Sequence, residues 1–126
     1  LEEQYFKGGS KSDSRKNRIV PIHPRIMPFV KKRLEKSNEY FLENDEGSKF
    51  KKWDFYEEWK TVISYITKKK KTPHEARHTF ETFLDNAGGN RKCIDMLMGH
   101  KSKDVGNRVY NHKTVEQLRD TILLLK

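Results

Sequence analysis

The chain has 126 residues, enough for one domain and too few for two. Lys and Arg number 27 against 18 Asp and Glu, a net charge of +9, and charged residues make up 36% against 33% hydrophobic. An average soluble domain is about 45–50% apolar and about 25% charged, so the core is thin and much surface is left to solvent or to a polyanion. There is no run of about 18 apolar residues, so no membrane-spanning helix is expected, and Leu1–Lys7 does not read as a signal peptide. The single cysteine, Cys93, excludes an internal disulfide and a cysteine-rich zinc site and makes a reducing, intracellular setting the expected one. Net charge alone does not separate a nucleic-acid-binding surface from an ordinary solvated basic one.

In chain order, Gln4-Tyr5-Phe6 and Arg18-Ile19-Val20-Pro21-Ile22 read as two antiparallel strands, joined by a long hairpin loop rich in Gly, Ser, Lys and Asn. Pro24 to Lys36 reads as a helix with Ile26, Phe29, Val30 and Leu34 on one face and Pro28 in its first turn. Tyr40-Phe41-Leu42 is a candidate third strand. Trp53 to Ile66 is a second helix, its apolar face made of Phe55, Trp59, Val62, Ile63 and Ile66. Lys68 to Lys71 breaks that pattern, and four adjacent cations suit either a solvated loop or a phosphate contact.

Thr72-Pro73-His74-Glu75 has the form of a helix start, with a capping residue, a proline at the first helical position and a carboxylate three residues after the cap. Gly88-Gly89 stops that helix. Ala76, Phe80, Phe83, Leu84 and Ala87 form its expected apolar stripe, and His74, Arg77, His78 and Glu81 fall on the other side. A short helix follows Asn90, with Ile94, Leu97 and Met98 inward, Cys93 on the same apolar face and Gly99 as its stop. Another short helix is expected from Asp104 toward Tyr110. A capping box at Thr114–Gln117 opens a last helix with Val115, Leu118, Ile122 and Leu125 on one face. The fold class is α+β and mainly helical, with a small antiparallel sheet of two to three strands on one side.

His74-Glu75-Ala76-Arg77-His78 matches the H-E-x-x-H pattern of helical zinc sites. Three features speak against that reading. Pro73 puts His74 in the first helical turn, the Arg77 guanidinium would lie beside the metal, and Glu81 stands where the extended pattern needs Gly. No metal and no cofactor are expected. The same stretch read as His74-x-x-Arg77, with Gly99-His100 and Tyr110 downstream, suits chemistry on a phosphodiester. Arginine grips two non-bridging oxygens, histidine moves protons near neutral pH and tyrosine is a candidate covalent nucleophile. His78 is assigned to structure, bonding the backbone, and His23 and His112 carry no signal.

Four motifs in order carry a resemblance. Thr72-Pro-His-Glu-Ala-Arg-His-Thr-Phe80 resembles the H-x-x-R box of the tyrosine recombinases, the phage integrase family. Leu97-Met-Gly-His100 resembles the family's second histidine box, Arg108-Val-Tyr-Asn-His112 the segment holding its nucleophile, and Lys11 before Arg18-Ile-Val-Pro-Ile22 the hairpin holding its lysine. The resemblance covers Gly8 to about Thr114 and implies DNA strand exchange without metal or ATP. Tyr110 would attack the scissile phosphate to leave a 3′-phosphotyrosyl link and a 5′-hydroxyl. Arg77 would stabilise the charge that builds on the phosphate, His100 would donate to the same group, Lys11 would protonate the departing 5′-oxygen, and His74 would assist proton transfer at Tyr110. Lys68, Lys69, Lys70, Lys71, Arg15 and Lys16 are the expected DNA contacts.

The family's first arginine lies upstream of the hairpin and has no counterpart here, since Arg15, Arg18, Arg25 and Arg33 sit in the wrong elements. Residues 1–126 therefore read as the C-terminal part of a catalytic domain, without the N-terminal DNA-clamping domain and inactive alone. The implied partners are double-stranded DNA and further protomers in a tetramer, with the last helix docking either on its own domain or on a neighbour. The implied setting is cytoplasmic, bacterial or phage-encoded. A second reading is a non-enzymatic, helix-turn-helix-like DNA-binding module built on the short helices from Gly99 to Tyr110.

Overall fold

The computed structural model describes residues 4–8, 17–100 and 112–126. These residues form two compact units, one made from Leu1–Pro24 and Arg77–Lys126 and the other from Arg25–Ala76. Among the described residues the elements are strands β1 (Tyr5–Gly8) and β2 (Arg18–Pro21), then helices α1 (Met27–Lys36), α2 (Lys52–Ile66), α3 (Pro73–Asn86), α4 (Arg91–Met98) and α5 (His112–Ile122). The molecule is thus mainly helical with a small antiparallel sheet, and among the described residues no helix is long and apolar enough to cross a membrane.

In the first unit, β1 and β2 pair antiparallel with Tyr5 opposite Pro21 and Gly8 opposite Arg18. The core lies where β2, α4 and α5 meet. Leu84, Ile94, Met98 and Leu118 are fully buried there, joined by Cys93, Met96, Leu97 and Ile122. Cys93 packs as its place on the apolar face of α4 predicts. The last helix packs on its own unit, one of the two positions open to it in sequence. It also starts earlier than the Thr114 capping box predicts, at His112, so Thr114 lies inside the helix. His23 Nε2 donates to Leu125 O at 2.9 Å and fastens the chain end to the segment after β2.

Two helix ends in this unit use one device. After α3, Gly89 N bonds Leu84 O (2.9 Å) and Gly88 N bonds Asp85 O (3.0 Å). After α4, His100 N bonds Asp95 O (2.9 Å) and Gly99 N bonds Met96 O (3.2 Å). Each is the double return bond of a Schellman turn, which needs a left-handed residue. Gly88 and Gly99 supply it at φ 79° and 68°. At the other end of α4, Asn90 caps the helix by accepting from Cys93 N at 3.2 Å.

The second unit holds α1 and α2, and the helix patterns there fare less well. α1 begins at Met27, three residues after Pro24, with Pro28 in its first turn. No side chain of α2 is buried: Trp53 is 71% exposed and Ile66 73%. With no sheet in this unit, two helices leave most of each other's apolar face in water. The third strand is replaced by a turn around one carboxylate. Glu43 Oε1 accepts from the backbone N–H of Asn38, Glu39 and Tyr40 at 2.8–3.0 Å, which takes these amides away from any ladder. Arg33 closes the turn by donating to the carbonyls of Phe41 and Glu43. Only an isolated bridge, Glu43 to Lys49, remains of the expected strand.

Candidate active site

The start of α3 is built as its sequence prescribes. Thr72 Oγ1 accepts from Glu75 N (3.2 Å) and Glu75 Oε2 accepts from Thr72 N (2.7 Å), the reciprocal pair of a capping box. Lys71 adds a 3.0 Å ion pair to Glu75. The Thr72 amide and then the Lys71 ammonium hold the Glu75 carboxyl below its ordinary range. Among the described residues Lys71 alone of the four lysines has an acidic partner; Lys68, Lys69 and Lys70 are exposed.

The inward face of α3 differs from the expected one by about one residue. Leu84 is buried, Arg77, Phe80 and Glu81 are half-buried, and Phe83 is 60% exposed. At roughly 100° per residue, positions 77, 80, 81 and 84 share one side of a helix. Arg77 and Glu81 therefore lie with the core residues, while His74 and His78 stay exposed. The reason is that both polar side chains find partners on α4. Arg77 donates through Nη2 to Met98 O at the end of α4, and Glu81 accepts from Arg91 Nη2 at its start, at 2.5 Å.

Met98 O takes a second guanidinium, Arg18 Nη1 of β2, at 3.2 Å. One carbonyl thus ties together the hairpin strand, the H-x-x-R helix and the Gly99-His100 turn. Sequence reasoning set Arg18 aside as lying in the wrong element to replace the family's first arginine, and nothing in its spacing signals the shared acceptor. Arg18 Nε is buried and has no hydrogen-bond partner among the described residues.

His100 follows the Gly99 turn and is half-buried. Its Nδ1 lies 3.5 Å from Asp95 Oδ1 and 3.9 Å from Glu81 Oε1. Arg91 Nη2 bonds both carboxylates, at 2.9 Å to Asp95 and 2.5 Å to Glu81. The Arg91 bond first, then the charge of His100, holds the Glu81 carboxyl below its ordinary range. Glu81, Asp95 and His100 are the group of side chains among the described residues spaced closely enough to share a metal ion. His74 and His78 do not belong to it, and Arg91 already bonds two of its three members.

The structure therefore gathers Arg77 and His100 at the C-terminal end of α4, with His74 one turn before Arg77 on α3. Lys11, Arg15, Lys16 and Tyr110 lie outside the described residues, as does the helix expected from Asp104.

Comparison with known proteins agrees with this order of motifs. The profile of the phage integrase family matches residues 6–117. The tyrosine recombinase XerD of Proteus mirabilis is 27% identical over 115 residues, covering 82% of this chain and 36% of that protein. The tyrosine recombinase XerA of Thermococcus kodakarensis is 31% identical over 109 residues, 82% of this chain and 38% of that protein. The tyrosine recombinase XerC of Oceanobacillus iheyensis is 30% identical over 125 residues, 86% of this chain and 39% of that protein. The chain thus spans little more than a third of the length of the curated relatives it matches. No solved structure matches it significantly. A family profile matching most of the chain, on a mainly helical fold with a small antiparallel hairpin, makes the chain a member of the phage integrase family of tyrosine recombinases.

Proposed function

We propose that this chain is the C-terminal part of the catalytic domain of a site-specific DNA recombinase, and that it cuts and rejoins double-stranded DNA through a 3′-phosphotyrosyl intermediate. The observation that carries the reading is the convergence of Arg77 and the His100 turn on the end of α4. An arginine and a histidine on one rigid corner are what negative charge developing on the phosphoryl oxygens requires.

In this mechanism the Tyr110 phenol oxygen attacks the scissile phosphate and the 5′-oxygen leaves, so one phosphoester replaces another and no external energy is needed. Lys11 gives the leaving oxygen its proton. His74 assists removal of the phenolic proton. Arg77, with a second arginine from a segment upstream of Leu1, grips the non-bridging oxygens, and His100 donates to the same group. Rejoining is the reverse reaction with a 5′-hydroxyl from another strand. Neither metal nor ATP enters.

The test is a suicide substrate nicked beside the scissile bond, with the longer recombinase. The parent protein should form a covalent adduct in the presence of EDTA. Tyr110→Phe should form none while binding DNA with nearly unchanged affinity, because phosphate contacts dominate that affinity. An adduct with the Phe variant would refute the assignment of the nucleophile.

A further inference from the structure

The cluster around His100 contains more than the proposed chemistry uses. Two carboxylates, Glu81 of α3 and Asp95 of α4, face one side of its ring, and Arg91 bridges them. Asp95 holds His100 twice, through the backbone bond from His100 N to Asp95 O at 2.9 Å and through the carboxylate 3.5 Å from Nδ1. Gly99 makes this possible, since the left-handed turn folds residue 100 back over the last turn of α4. In charge, two carboxylates against one guanidinium leave the cluster one negative charge to set against the ring.

We propose that Glu81, Arg91 and Asp95 are positioning residues for His100. They keep Nδ1 as the proton-bearing nitrogen and turn Nε2 outward, toward the DNA phosphate. A carboxylate accepts and cannot donate, so the nitrogen facing it must carry the proton. In a neutral imidazole free in water the other tautomer, with the proton on Nε2, is the more populated. The cluster therefore reverses an intrinsic preference, and the reversal is measurable. Arg91 keeps the two carboxylates together at one edge of the ring, where they would otherwise repel each other. With Nδ1 so committed, any second proton the ring takes up sits on Nε2 and is presented in a hydrogen bond to a phosphoryl oxygen. That ring then lies between the spare carboxylate charge and the phosphate. The functional half of the proposal rests on the reading that His100 acts on the scissile phosphate.

Two measurements separate the halves. Nitrogen NMR of the imidazole in the 126-residue chain reports the tautomer without any reaction. The parent chain should show Nδ1 protonated at neutral pH. Asp95→Asn with Glu81→Gln should shift the proton toward Nε2, because an amide oxygen attracts it less. If the double variant fails to fold, Asp95→Asn alone, which leaves Glu81 to hold Arg91, gives the same readout. A parent chain with the proton on Nε2, or a folded variant with an unchanged tautomer, overturns the proposal. In the longer recombinase, Asp95→Asn should slow cleavage of the suicide substrate by on the order of 10- to 100-fold at unchanged DNA affinity, and Asp95→Glu should restore part of the rate. A shifted tautomer with an unchanged cleavage rate would support the cluster and overturn the role given to His100.

Discussion

Leu118→Ala tests whether the last helix belongs to the core of its own unit. Leu118 is fully buried among Leu84, Ile94, Met98 and Ile122. Truncating a leucine in such a site removes its transfer energy and leaves a cavity between three elements, at about 2–5 kcal/mol. Leu123, just past the end of the same helix, is 46% exposed, so Leu123→Ala should cost under about 1 kcal/mol. At roughly 4 °C per kcal/mol for a chain of this size, the two substitutions should lower the melting temperature by about 8–20 °C and less than about 4 °C. The assay is a thermal melt followed by circular dichroism at several protein concentrations. Equal effects for the two variants, or a melting temperature that rises with concentration in the parent, would refute packing on its own unit. The second outcome would return the helix to the trans position that the sequence also allowed. A small domain has only about 5–15 kcal/mol of stability in all, so the contrast is well within reach of the measurement.

The elements that bury a periodic stripe were legible, and those whose polar groups find partners were not. α4 reads directly from Asn90, Ile94, Leu97, Met98 and Gly99, because cap, stripe and left-handed stop all point the same way. On α3 the pattern placed Arg77 and Glu81 on the solvent side, yet both turn inward to α4. Hydrophobicity cannot register a half-buried charge whose partner lies ten or more residues away. The third strand failed for a related reason, since one glutamate collects the Tyr40 amide and the two before it into a turn where the strand was to begin. Of the site, Arg77 and His100 were legible as motif residues. Arg18, Glu81, Arg91 and Asp95 were not, because each acts through a tertiary contact with no fixed spacing. Phe55 and Ile66 of α2 were placed on an apolar face by amphipathic spacing alone, and the unit supplies no surface to bury them.

Three further outcomes follow from the same contacts. Replacing Lys68, Lys69 and Lys70 with Gln should weaken DNA binding uniformly across sequences and flatten the slope of log affinity against log salt by about 0.9 per lost phosphate contact; an unchanged slope would make these lysines solvated loop residues. The Glu43, Glu75 and Glu81 carboxyls are all held below their ordinary value of 4.5 by backbone amides or by arginine. Groups lowered on folding stabilise the native state above their unfolded pKa. The melting temperature should therefore be flat above about pH 5 and fall as pH drops through 4.5 and below, and Glu81→Gln should make that fall shallower. Arg18→Met sets two terms against each other. It removes a charge-assisted bond to Met98 O, worth about 1.5–3 kcal/mol, and it also removes the buried Nε that lacks a partner, which costs about 1–3 kcal/mol to leave unsatisfied. The two nearly cancel, so thermal stability should change by less than about 1 kcal/mol. Cleavage by the longer recombinase should still slow, because β2 loses its tie to the carbonyl that also holds Arg77, and the hairpin that carries Lys11 is no longer fixed to the His100 corner. A thermal melt and a single-turnover cleavage rate on the same variant decide it. A large loss of stability would make Arg18 an ordinary structural residue, and an unchanged rate would show that the hairpin needs no anchor at Met98.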